Sequence, residues 1–377
     1  MLNHPHWDIF CKIVDNFGDI GVCWRLAQQL HNEHQLTVQL YIDDLQVAKQ
    51  LIPAIDTSRS KQIIQGISII AWDANTEFTN AAPVVIESFA CELPQAYLNT
   101  MQPSTVWINL EYLSAESWVD DFHANSSKRG ALTRHFFFPG FTPSTGGLLR
   151  EHDIIQQSNQ SPAQNKAFWN DLNLPANPHL KVSLFCYPHA PIAGLLSAMA
   201  AFNQPVHCYV PAGSILTNVA NFFGRAALQI GDTITQQNLS LHVIPFLSQN
   251  GYDQLLANCD INFVRGEDSW IRAIWAGKPF IWQPYLQTEQ THIKKLHAFL
   301  DIFFGSCEST AKISTYNLHN AWQTAVITTE TWQDYLAELP TLKSYHMQQR
   351  NLLAQQTDLA TKLVIFSEKV IKNIPEN

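Results

Sequence analysis

Arg265-Gly266-Glu267-Asp268-Ser269 sets a cation, two carboxylates and a hydroxyl around a glycine in this 377-residue chain. Residues 261–264 before it read as a short buried strand. Ile271, Ile274 and Trp275 after it fall at helical spacing until Gly277, and residues 280–282 are again strand-like. In such a unit the strand exit lets a ligand approach Gly266, and the helix amino end favours an anion. Arg265 adds a charge whose geometry matches phosphate. The charge density suggests a diphosphate site. The alternative is that Glu267, Asp268 and Ser269 only cap the helix.

Asp15 and Asp19 form a second acidic pair. Residues 7–14 are a near-continuous apolar run suited to a central parallel strand, and 23–30 follow as a helix. The intervening Asn16-Phe17-Gly18 predicts a loop, so both carboxylates can face the crevice at the strand's carboxyl end. Two such groups can grip a guanidinium, and one can act as a general base. Equally, Asp19 can be a helix cap and Asp15 an Asx-turn. Gly18 and Gly21 do not make the Gly-x-Gly-x-x-Gly fingerprint, so an acid such as Asp43 does not indicate a dinucleotide ribose.

A hydrophobic content of 46% with 15% charged residues indicates a globular chain long enough for two domains. A net charge of −9 argues against nucleic-acid partners. Seven cysteines, odd in number and without a Cys-x-x-Cys pair, fit buried thiols in a reducing cytoplasm. The 15 histidines form no His-Glu-x-x-His, and no metal site is expected. With no signal peptide and no apolar run long enough to span a bilayer, a soluble cytoplasmic protein without membrane partners is expected.

Further strands are predicted at 36–42, 67–72, 84–88 and 106–110, with Glu111 and Tyr112 at the last one's carboxyl end. The aromatic run 136–141 suits a core patch, or else a peptide-docking surface. Polar residues 156–164 read as a linker. A second series of strands follows at 180–187, 206–210 and 241–246, then a helix from 252, and residues 342–374 have a helical pattern. The expected division is 1–165, 166–355 and a terminal helix in 356–377 that packs back on the first domain. A cleft between two α/β domains is the expected ligand site.

The motif 15–22 together with 265–269 resembles the bacterial protein-arginine rhamnosyltransferase EarP family. Ile86-Glu87-Ser88-Phe89-Ala90-Cys91, Leu110-Glu111-Tyr112-Leu113-Ser114, Gly146-Gly147-Leu148 and Lys295-Leu296-His297-Ala298-Phe299 match in order along the chain. The resemblance implies a GT-B glycosyltransferase fold, two Rossmann-like domains facing across a cleft. It implies an inverting, metal-independent transfer of L-rhamnose from dTDP-β-L-rhamnose to an arginine of translation elongation factor P, with no cofactor. It makes Asp19 the general base, Asp15 its acidic neighbour and Glu267 a third essential carboxylate. Gly266, Asp268 and Ser269 fall at the donor diphosphate, and Tyr187, Phe246, Gln249 and Arg265 around the thymidine. The residues alone also allow a GT-B enzyme with a small-molecule acceptor, or a noncatalytic protein that binds a translation factor.

Overall fold

The computed structural model describes residues 6–15, 17–174, 178–324 and 326–373. They divide into two compact units, Met1–His152 with Ala354–Asn377, and Asp153–Leu353. Each is a parallel sheet with helical crossovers.

The first unit holds β1 (His6–Cys11), β2 (Thr37–Ile42), β3 (Lys61–Ile64), β4 (Ile67–Ala71), β5 (Val84–Ser88), β6 (Val106–Leu110), β7 (Ser126–Arg129) and β8 (Leu132–Phe137). Their order is β3-β4-β2-β1-β5-β6-β8-β7. The inner strands pair in parallel, while β3 and β7 run antiparallel along the two edges. Every residue of β5 and β6 is buried, as apolar strands covered on both faces must be. Polar β7 is wholly exposed, which suits an edge. Phe10 stacks on Tyr41 at 4.3 Å and packs with Trp72, Tyr97 and Trp107 into a core on one face.

From β1 the chain goes first to β2 on one side and later to β5 on the other. The sheet's topological switch therefore lies between β1 and β5, where side chains at the carboxyl ends can meet a ligand. The second unit repeats the device. It contains β9 (Leu180–Leu184), β10 (Val206–Pro211), β11 (Thr233–Gln236), β12 (Leu239–Ile244), β13 (Ile261–Arg265) and β14 (Phe280–Gln283), ordered β11-β12-β10-β9-β13-β14. Its switch lies between β9 and β13.

The expected linker is instead two helices, Ile154–Ser158 and Pro162–Asp171, the second opened by a capping box between Ser161 and Gln164. Arg350 bonds to Ser158 and Asn159, each at 3.2 Å, and so ties this segment to the second unit. The units accordingly divide at 152/153 and 353/354, against the expected 165/166 and 355/356. The helical pattern over 342–374 is two helices, Leu339–Leu353 and Leu359–Lys372, the second within the expected terminal segment; Ile374 lies outside the described residues. Asp358 caps the last helix through the Thr361 amide and also accepts from Gln29, at 3.1 Å, which fastens the helix to the first unit. In the aromatic run, Phe137 and Phe141 are buried and Phe136 and Phe138 half-buried.

Candidate active site

The loop after β1 is held by carboxylates. Asp43 accepts from the amide of Ile13 at 2.9 Å. Asp19 Oδ2 accepts from the amides of Val14 and Asp15 at 2.7 and 2.8 Å. Three successive amides are thus committed to acidic side chains. A phosphate, which needs such amides and tolerates no carboxylate beside it, does not fit here, and that counts against a dinucleotide loop.

The helix begins earlier than expected, at Phe17, so Asp19 stands in its first turn and reaches back along the chain. It is 1% exposed. Its Oδ1 accepts from the hydroxyl of Tyr112, at 3.1 Å, and a carboxylate oxygen retains capacity for a further donor. Asp15 is half-buried, its carbonyl closing a turn on the Gly18 amide at 2.7 Å. A β-carbon at Gly18 would stand 2.9 Å from the Asp15 carboxylate, so the glycine lets the acid fold over the helix start. Asn16 lies outside the described residues.

In the second unit the Arg265 side chain ends β13, 8% exposed, with its guanidinium 4.6 Å from the rings of both Phe185 and Tyr187. Aromatic faces stabilise a cation that burial would otherwise penalise. Gly266 turns at φ +60, its amide bound to the Gln283 carbonyl at 3.0 Å and its carbonyl to the Trp282 indole at 2.7 Å. Trp282 in turn stacks on Trp270 at 3.7 Å.

Glu267 occupies the N-cap position of the helix Asp268–Ala276 without making a capping bond, and Asp268 lies in the first turn. The Ser269 hydroxyl accepts from the Arg265 amide at 2.9 Å and donates to the Arg265 carbonyl. Capping therefore does not explain Glu267 or Ser269. Ser269 fastens Arg265. Arg272 makes a two-point ion pair with Asp253, at 2.8 and 2.9 Å, which joins this helix to Gln249–Asn258.

Phe246 is half-buried beyond β12, two strands from β9. Gln249 is buried at the start of its helix, which Ser248 caps. Around Tyr187 the structure adds residues that sequence reasoning missed. Gln283 Oε1 accepts from the Tyr187 amide at 2.9 Å, and its Nε2 meets His189 at 3.2 Å. Burial, then the charges of His292 and Arg265, lowers the His189 pKa, which keeps its ring neutral and able to accept. Tyr285 packs edge-on against Tyr187 at 5.9 Å. Their signal was position alone, since His189 follows β9 and Gln283 and Tyr285 end or follow β14, the neighbour of β13. Among the described residues no cluster of His, Cys, Asp and Glu has the form of a metal site, and no helix is long and apolar enough to cross a membrane.

Comparison with known proteins matches the sequence profile of elongation-factor P (EF-P) rhamnosyltransferase EarP to residues 7–368. A protein-arginine rhamnosyltransferase of Pseudomonas putida is 41% identical over 369 residues, covering 96% of this chain and 98% of that one. A solved structure from work on EarP-mediated arginine glycosylation of translation elongation factor EF-P superposes with a TM-score of 0.72. It is 33% identical over 97% of this chain and 99% of the other. MurG of Acinetobacter baumannii, 12% identical with a TM-score of 0.50 over 97% of this chain and 99% of its own, shares the fold alone. The fold is GT-B.

Proposed function

The chain belongs to the EarP family of elongation factor P rhamnosyltransferases, and from that premise we propose that it moves L-rhamnose from dTDP-β-L-rhamnose to an arginine side chain of elongation factor P. In this reading the transfer inverts the anomeric centre, uses no metal or cofactor, and takes place in the cytoplasm. The observation that carries the reading is the Asp19 carboxylate, restrained from three sides at the carboxyl end of β1, in a chain matched to that family across both units.

A guanidinium has a pKa above about 12 and delocalised lone pairs, so it is a poor nucleophile until oriented. Asp15 and Asp19 would grip it by charge-assisted bonds and direct one nitrogen at the anomeric carbon. As the C–N bond forms, the bond from the anomeric carbon to the diphosphate oxygen breaks and its electron pair leaves with dTDP. The proton lost by nitrogen passes to Asp19.

In the second unit, Arg265 and the amino end of the helix Asp268–Ala276 would meet the negative charge of the leaving dTDP, electrostatic work that calls for no metal. Asp268 borders the diphosphate, the Gly266 turn presents the helix end, and Ser269 holds Arg265 in register. Glu267 is assigned to the sugar, through its hydroxyls or the positive charge developing at the ring. Tyr187 and Phe246 offer faces for thymine, and Gln249 offers an amide for its polar edge.

The test is to incubate the protein with dTDP-β-L-rhamnose and unmodified elongation factor P. Mass spectrometry should find one added deoxyhexose, mapped by fragmentation to an arginine. No mass gain with active-site-competent donor binding would defeat the reading, and a gain lost on adding a chelator would overturn the metal-free scheme.

A further inference from the structure

The loop after β5 carries three left-handed residues that are not glycine, Phe89 at φ +56, Ala90 at +52 and Glu92 at +60. Bulky side chains avoid this region, and such conformations persist only where the surroundings enforce them. Here the enforcement is explicit. The Phe89 amide donates to the Leu110 carbonyl at 2.6 Å, and the Ala90 amide to Asn109 Oδ1 at 3.1 Å. The Glu92 amide donates to Glu87 Oε1 at 3.0 Å. Glu87, 1% exposed, is itself anchored by the Trp107 indole at 2.9 Å and by Arg134 at 3.7 Å.

This backbone lays the Phe89 ring flat on Tyr112, with centroids 4.3 Å apart and planes 13° from parallel. Tyr112 is 37% exposed, and its hydroxyl reaches Asp19 Oδ1. An exposed tyrosine samples several side-chain orientations unless something confines it. The amides of Val14 and Asp15 fix Oδ2 of Asp19, so the Tyr112 hydroxyl governs how Oδ1 is presented.

We infer that Phe89 is a positioning residue for the transfer: its left-handed backbone makes the ring a shelf that holds Tyr112 in place to orient the Asp19 carboxylate. The inference rests on Asp19 as the base, as proposed above. It accounts for the confinement of a phenylalanine to a conformation that glycine would accept without strain.

The test compares Phe89→Gly, Phe89→Trp, Tyr112→Phe and the double variant Phe89→Gly/Tyr112→Phe in single-turnover transfer to elongation factor P. Phe89→Gly removes the ring yet accepts the positive φ, so slow transfer cannot be ascribed to backbone strain. It should lower the rate about 10- to 100-fold, the scale of one hydrogen bond to a charged group, with calorimetric affinity for dTDP-β-L-rhamnose unchanged.

Tyr112→Phe should match it, the double variant should be no slower than Tyr112→Phe, and Phe89→Trp should restore most of the rate. Additive losses in the double variant, or no recovery in Phe89→Trp, would overturn the positioning role. A normal rate in Phe89→Gly does so while leaving Asp19 untouched as base. Full activity of Asp19→Asn would instead sink the base assignment itself.

Discussion

Asp19 in the first unit and Arg265 in the second occupy corresponding places, each where a strand at the sheet's switch point hands over to a helix, yet they are secured by different chemistry. The buried anion is met by two amides and a phenol. The buried cation is met by two aromatic faces, with Ser269 clasping only its backbone. In the proposed reading Asp19 receives a proton, which calls for directional donors that leave one lone pair available. In the same reading Arg265 stabilises a leaving group, which calls for a cation that is desolvated but not neutralised, and ring faces do this without adding a counter-charge.

The sharpest way to break this comparison is Asp19→Asn. The amide oxygen can still accept from Val14 and Asp15, so the fold should survive, while transfer falls by about 10²–10⁴-fold, the usual contribution of a general base. Donor affinity, read by calorimetry, should not change. Arg265→Met keeps a long side chain between Phe185 and Tyr187 but removes the charge. Affinity for dTDP should drop about 10- to 100-fold, the scale of a lost charge-assisted contact. Equal affinity would mean that the cation serves packing only.

Ser269→Ala deletes the clasp and not the charge. It should cost about 1–2 kcal/mol in urea unfolding and weaken dTDP only a few-fold. If its affinity loss equalled that of Arg265→Met, Ser269 would be touching the phosphate directly.

The comparison extends, least directly, to the response of the two units to acid. Burial lowers the pKa of His242 and His319 to about 4, and that of His346 to about 3, with repulsion from His207, His297 and His319 respectively adding to it. Unfolded, these rings titrate near 6.5. The folded state therefore binds fewer protons between those values, so this stability is complete above pH 6.5 and is lost as pH falls toward 4 and then 3. His123, also lowered to about 4 by burial, represents the same effect in the first unit. Hydrogen exchange at pH 7.5 and pH 5 should show protection falling more in the second unit, and equal losses in both would contradict the assignment.

Much of this was legible because buried parallel strands advertise themselves. Residues 84–88 and 106–110 are apolar runs, and the structure places β5 and β6 there with the same limits. The edge strands β3, β7 and β11 escaped because they are short, polar and half-solvated, so their residues carry no periodic signal. The segment 156–164 read as a linker because its composition is polar. Its helices form through the Ser161 capping box and Arg350, and the latter is almost two hundred residues away.

Asp15, Asp19 and the 265–269 motif could be found from charge beside a strand exit. Tyr112 was noticed as a residue at a strand end, but not its bond to Asp19, since sequence spacing cannot reveal a contact across 93 positions. Phe89 and Gln283 act through backbone conformation and an amide contact, and neither leaves a compositional trace.

The last helix changes the order in which the chain can be finished. Strands β1 to β8 are all synthesised before residue 153, but Asp358 and Leu359, which bond to Gln29 and to the Leu148 carbonyl, follow only after the second unit. The intervening unit is continuous in sequence and can close first as it emerges. The unit made earliest stays unlatched until residues 354–373 have left the ribosome. The unit that carries Asp19 thus opens before the second unit and closes after it.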